Sequence, residues 1–121
     1  MAERLSAWRV VAKPAAIDRL SGIVLRLASD DALVVGVLGV EIGDPEAIVE
    51  PDTGWVFLEL SEERALELIA AGASWRPPAE RPAFAQGMLA GLPAKIYLNG
   101  ARSLVIVAAP FEHEFEERLG H

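Results

Sequence analysis

The side chains in this chain that could do chemistry are few, and their spacing suits other work. His113 and Glu117 stand four apart in a segment of helical pattern, so they can meet on one helix face. A zinc-type site needs three or four ligands. The second histidine is His121, at the far end of the sequence. The pair therefore reads as one i,i+4 contact on an acidic, solvated face. Glu62-Glu63 and Glu116-Glu117 are adjacent in sequence, but neighbouring helical residues point about 100° apart, so neither makes an acid/base dyad. Ser61 falls between a strand and a helix, as a hydrolase nucleophile would. A nucleophile elbow wants glycines where Glu59 and Glu63 stand, and a histidine base. Helix capping is the better role. Gly36, Gly39 and Gly43 match neither G-x-G-x-x-G nor a P-loop. There is no cysteine, which removes disulfides, thiolate nucleophiles and Cys-ligated metal sites.

The bulk properties narrow the field further. The 121 residues fit a single domain, 1–121, and 52% of them are hydrophobic, enough for a core without staples. The net charge is −7 and the eleven Lys and Arg are scattered singly. Duplex nucleic acid and anionic membranes are disfavoured by that field, since both are bound through clustered cations. The first residues, Met-Ala-Glu-Arg-Leu-Ser-Ala-Trp, lack the apolar run of a secretory signal. The most apolar stretch, 32–40, is about half a bilayer span. A soluble, cytoplasmic protein is expected.

These side chains must be positioned by the following elements. Trp8, Val10 and Ala12 alternate with Arg9, Val11 and Lys13, which predicts a strand over 7–12 that Pro14 ends. Ile23, Leu25 and Leu27 predict a second strand, with Arg26 on its less buried face. Ser29-Asp30-Asp31 offers N-cap residues. With Gly43-Asp44-Pro45 as a stop, it tips 32–40 toward a short helix, although the valines there favour a strand. Residues 55–60 alternate as a strand with both faces largely buried, Trp55 included in the core. Ser61 then caps a helix over 62–71, with Glu62 and Glu63 in its first turn, an apolar stripe of Ala65, Leu66, Ile69 and Ala70, and Gly72 as a left-handed C-cap. Three prolines make 73–84 an irregular loop. Strands follow near 85–90 and 94–98. Asn99-Gly100 suits a tight hairpin turn, and 103–109, apolar on both faces, is a central strand. Pro110 opens a last helix carrying Phe111, Phe115 and Leu119 on one face. Hairpins and two or three helices on one mixed or antiparallel sheet make an α+β fold.

Three residues stand out as contact candidates. Trp75 and Arg76 lie in the proline-rich loop, the residue types that anchor interfaces. They could equally cover the end of helix 62–71. Gln86, on the next strand, is a polar group that a pocket could use, and a plain edge position explains it too.

Residues 54–61 (Gly-Trp-Val-Phe-Leu-Glu-Leu-Ser), 65–72 (Ala-Leu-Glu-Leu-Ile-Ala-Ala-Gly) and 84–98 (Phe-Ala-Gln-Gly-Met-Leu-Ala-Gly-Leu-Pro-Ala-Lys-Ile-Tyr-Leu) form a pattern. It resembles the gamma subunit of heterotetrameric sarcosine oxidase over about residues 48–119. Where that family usually carries a longer segment after the helix, Ala73-Ser74-Trp75-Arg76-Pro77 stands here. The resemblance implies a folate-binding-domain-like fold, as in the glycine-cleavage aminomethyltransferases. It also implies a non-catalytic accessory role beside the larger subunits of a flavoprotein oxidase complex. No catalytic, cofactor or metal residue carries over. FAD, FMN, NAD and tetrahydrofolate are implied for partner subunits only. Self-association, and a stand-alone module of one-carbon metabolism that binds a folate-type molecule, are the other expectations. Catalysis by this chain alone is not expected.

Overall fold

The strongest alternating segments become strands, as the two-residue period of a pleated backbone requires. In chain order the elements are β1 (Ala2–Glu3), β2 (Ala7–Val11), α1 (Pro14–Ile17), β3 (Ile23–Ala28), β4 (Asp31–Val35), β5 (Ile48–Pro51), β6 (Trp55–Leu60), α2 (Glu62–Gly72), β7 (Ala83–Leu89), β8 (Leu92–Leu98), β9 (Ser103–Ala108) and α3 (Glu112–Arg118), the last entered through a 3-10 turn at Ala109–Phe111. The structure is a computed structural model, and it describes residues 2–3, 5–100 and 102–118. Leu119 and His121, assigned above to the last helix face and the chain end, lie outside those residues. The fold is α+β, with three helices and two antiparallel sheets where one sheet was expected. Contacts divide the chain into two units. One is Leu5–Thr53, and the other joins β1 to the chain from Gly54 onward.

The Leu5–Thr53 unit holds a four-stranded sheet of order β3-β4-β2-β5. Val10, Ala12, Ile17, Ala32 and Val34 form its buried cluster. The helix expected over 32–40 is instead β4 followed by irregular chain. Ser29 and Asp30 make the turn between β3 and β4 rather than a cap. Ala32, Leu33, Val34 and Val35 are all at most 2% exposed, because β4 is flanked by β2 and β3 and buried on both faces. A strand covered on both sides shows no alternation, which is why its pattern was ambiguous. Asp31 pairs with Arg9 across the sheet instead of capping. Leu25 is the buried residue of β3, and Arg26 lies on the strand's other, less buried face, as expected. The register partner of Arg26 is Ala32, two residues from the Val24–Val34 pair. From there its guanidinium reaches Asp18 Oδ1 at 2.9 Å and the Pro14 carbonyl at 3.1 Å, bracing α1.

The second unit has a five-stranded sheet of order β1-β6-β9-β8-β7. β9 is central and buried over Ser103–Val107, as expected for a run apolar on both faces. One face, bearing Val56, Val105, Val107, Ala94, Ile96, Leu98, Ala83 and Leu89, packs with Ala65 and Ile69 of α2 and Phe115 of α3. The buried stripe of α2 is Ala65, Leu68 and Ile69; Leu66 is half-buried and Ala70 exposed, so the stripe is rotated from the one predicted. Ser61 caps α2 as expected, its hydroxyl accepting from the Arg64 amide at 3.2 Å. Gly72 does not adopt the left-handed conformation. It ends the helix proper, and Ala73 is the extended C-cap. Its lack of a side chain serves close approach: a Cβ there would lie 3.2 Å from the Ala90 nitrogen and 3.3 Å from Leu89 Cδ1. The Ala90 amide donates to the Gly72 carbonyl at 2.8 Å, tying the β7–β8 hairpin tip to the helix end. The β8–β9 turn is tight but displaced by one residue from the predicted pair. The Arg102 amide donates to the Asn99 carbonyl, with Gly100 at φ +60° inside the turn. Among the described residues no helix is long and apolar enough to cross a membrane.

Candidate functional site

The contact candidates sit on the second unit, on opposite faces of its sheet. Trp75 leaves α2 just after the C-cap and folds back over the edge strand β7. Its indole Nε1–H donates to the Met88 carbonyl at 2.9 Å. The ring occupies the space where Gly87 has no side chain: a Cβ at Gly87 would come within 2.6 Å of Nε1 and 2.8 Å of Cε2. The ring thereby covers β7 at Gly87 and Met88, and covering is one of the ways that proteins protect edge strands. Of the two roles expected for Trp75, the covering one is seen here: the half-buried ring packs against the helix-side core.

Beside it lies a groove of about 620 Å³ lined by α2 side chains (Leu66, Ile69, Ala70) and by the 73–81 segment, including Trp75, Arg76, Pro77, Pro78 and Arg81. Arg81 orders this segment from within. It donates to Glu62 Oε1 at 2.8 Å and to the carbonyls of Pro78 and Glu80 at 2.6 and 2.9 Å. Glu62 Oε1 also accepts from the Gly100 amide at 3.0 Å. The Arg81 guanidinium and then the Gly100 amide hold the Glu62 carboxyl below its ordinary range. Arg76 is exposed and forms no ion pair among the described residues.

Gln86 points to the other face, because its register partner is Lys95 while its neighbour Gly87 pairs with Ala94 of the core. Gln86 Oε1 accepts from Lys95 Nζ at 3.1 Å, and that ammonium lies 4.4 Å from the centroid of the Trp55 ring. Trp55, expected in the core, is half-exposed at a sheet end. With Gln86, Met88, Pro93, Lys95, Ala108 and Phe111 it lines a second groove of about 390 Å³. Met88 is 52% and Phe111 36% exposed there. Sequence reasoning missed Lys95, Met88 and Phe111. Met88 lies two residues from Gln86 on a strand, and that spacing was the available signal.

Of the residues weighed as catalysts, Ser61 caps α2 and Glu62 holds Arg81 and the Gly100 amide. His113 Nε2 lies 2.5 Å from Glu117 Oε1, with both side chains well exposed. No group of three His, Cys, Asp or Glu that could hold a metal ion occurs among the described residues. Asp44, which sequence reasoning passed over, is buried in the Leu5–Thr53 unit. It accepts from the Lys13 amide at 2.9 Å and the Glu46 amide at 3.0 Å. Those two bonds, the Lys13 one foremost, lower its carboxyl pKa. Arg9 does the same for Asp31 through their hydrogen-bonded ion pair.

Comparison of the chain with protein-family models, with curated proteins and with solved structures finds no match.

Proposed function

We propose that this chain is a non-catalytic accessory subunit that assembles with the larger subunits of a flavoprotein amine oxidase, in the manner of the gamma subunit of heterotetrameric sarcosine oxidase. In this reading its fold is related to the folate-binding domain of the aminomethyltransferases, and FAD, FMN, NAD and tetrahydrofolate reside on its partners. The residues that carry the resemblance support it by falling on one structural unit: they form β6, α2, β7 and β8. The observation that carries the functional part is the groove walled by Trp75. An aromatic wall is fixed there by its own hydrogen bond and by the gap at Gly87. A preformed apolar surface lowers the ordering cost of association. Fold-level analogy alone would not license a function, and the groove supplies a site. The test is co-expression of the tagged chain with the larger subunits of such an oxidase. Recovery of all of them together supports the proposal, and recovery of the tagged chain alone at every salt concentration refutes it.

A second reading is a stand-alone module for a folate-type molecule. The Trp55 groove favours it: at about 390 Å³ it falls within the roughly 300–1,000 Å³ of small-molecule sites, with an aromatic face and two polar groups, Lys95 and Gln86. Calorimetry with tetrahydrofolate decides this, with saturable heat lost in Trp55→Ala on one side and a flat titration on the other.

A further inference from the structure

We infer that the groove between α2 and the 73–81 segment receives a short apolar stretch of the partner polypeptide that carries a carboxylate, with Arg76 as its ion-pairing anchor. This rests on the accessory-subunit reading and adds the place and the chemistry of the contact. The case begins with charge. The chain as a whole carries −7, yet the side chains lining this groove include two arginines and no Asp or Glu. Of the two, Arg81 is occupied in holding Glu62 and two loop carbonyls. Arg76 is exposed at the groove, with no ion pair among the described residues. A guanidinium can take a carboxylate through two parallel hydrogen bonds, and Arg and Trp are the residue types that most often dominate binding energy. Leu66, Ala70, Trp75, Pro77 and Pro78 supply apolar walls, and Ser74 adds a hydroxyl. A cationic segment would meet Arg76 as a like charge, and an uncharged one would leave it without a partner.

The site is also preorganised. Trp75 is seated against Gly87, Arg81 ties the loop to the start of α2, and the prolines restrict the backbone. Little ordering remains to be done on binding.

The test compares four chains co-expressed with the larger oxidase subunits: wild type, Arg76→Glu, Ala70→Glu and Leu38→Glu. Arg76, Ala70 and Leu38 are all exposed, so the variants should fold, and the indole N–H resonance of Trp75 checks this. Arg76→Glu and Ala70→Glu should each lower recovery of the larger subunits by about tenfold or more, the effect of losing roughly 1.4 kcal/mol. Leu38→Glu, at a fully exposed position in the Leu5–Thr53 unit, should not. If wild type and Arg76→Glu recover the subunits equally, the groove assignment is wrong while the accessory reading stands. If wild type recovers none, the accessory reading fails. The groove's chemistry is then judged by titrating the Trp75 resonance with acetyl-Leu-Asp-Leu-Glu-Leu-amide and its Asn/Gln counterpart. Saturation by the acidic peptide alone upholds it, and equal or absent shifts overturn it. Concentration-dependent dimerisation of wild type that Arg76→Glu abolishes would place a second copy in the groove and overturn the assignment to another protein.

Discussion

Gly87 lacks a side chain at the one place where the Trp75 ring needs room, and that pairing makes the sharpest prediction at the level of single residues. Gly87→Ala should drive the indole off β7, since the new methyl would lie within 2.6 Å of Nε1. The expected cost is about 1–3 kcal/mol, typical of overpacking, read from urea denaturation, with loss of the shifted Trp75 indole resonance. Unchanged stability and an unchanged resonance would mean that the ring is not seated there. The depressed carboxylates give a second expectation. Asp31, Asp44 and Glu62 all have folded pKa values below their ordinary ones. A group of that kind contributes stability that is fully present above its unfolded pKa and is lost as pH falls through the folded value. The urea midpoint should therefore be flat from neutrality down to about pH 5 and fall below about pH 4, where ordinary carboxyls titrate. Asp31→Asn should start lower at neutral pH and show a shallower acid limb. An identical acid limb would show that the Arg9 pair contributes nothing.

Elements were legible where local pattern and tertiary environment agree. β6, α2 with its Ser61 cap, and the central β9 follow from alternation, from cap chemistry and from an apolar run. Other features depend on contacts that no local pattern announces. β4 looked helical because cap-forming residues precede it, while its burial on both faces erased the alternation. Gly72 looked like a left-handed cap, yet what it accommodates is Ala90, eighteen positions on. The division into two sheets arises from strand pairing at long range, including β1 with β6 across more than fifty residues. In the candidate site, Trp75 and Arg76 were legible from composition in a loop, whereas Lys95, Met88 and Phe111 needed the register of β7 and β8. The β7–β8 hairpin carries its own prediction. Ala90 sits at φ +52°, a conformation costing an L-residue roughly 1–2 kcal/mol. Ala90→Gly should stabilise the protein by about 1 kcal/mol, raising Tm by roughly 4 °C for a chain of this length. A lowered Tm would mean that the contacts to Gly72 and Arg118 depend on the alanine methyl.

At the scale of the molecule, many of the polar and charged side chains of the described residues hold the fold in place. Ser61 caps, Glu62 bridges Arg81 and Gly100, Asp44 gathers two amides, and Arg118 grips the Ala90 carbonyl and Glu114. The second unit also presents two grooves with partly apolar walls, the larger of the two beside Trp75. In the proposed account this molecule acts by being bound, with the chemistry carried by its partners. Sedimentation velocity tests that claim most directly. The purified chain is mixed with the separately purified larger subunits of a flavoprotein amine oxidase, and the boundary is followed through flavin absorbance. The account predicts a faster flavin boundary at saturating chain, with a defined stoichiometry. A flavin boundary that never shifts, with all added protein sedimenting as a free 13.0 kDa species, would contradict it.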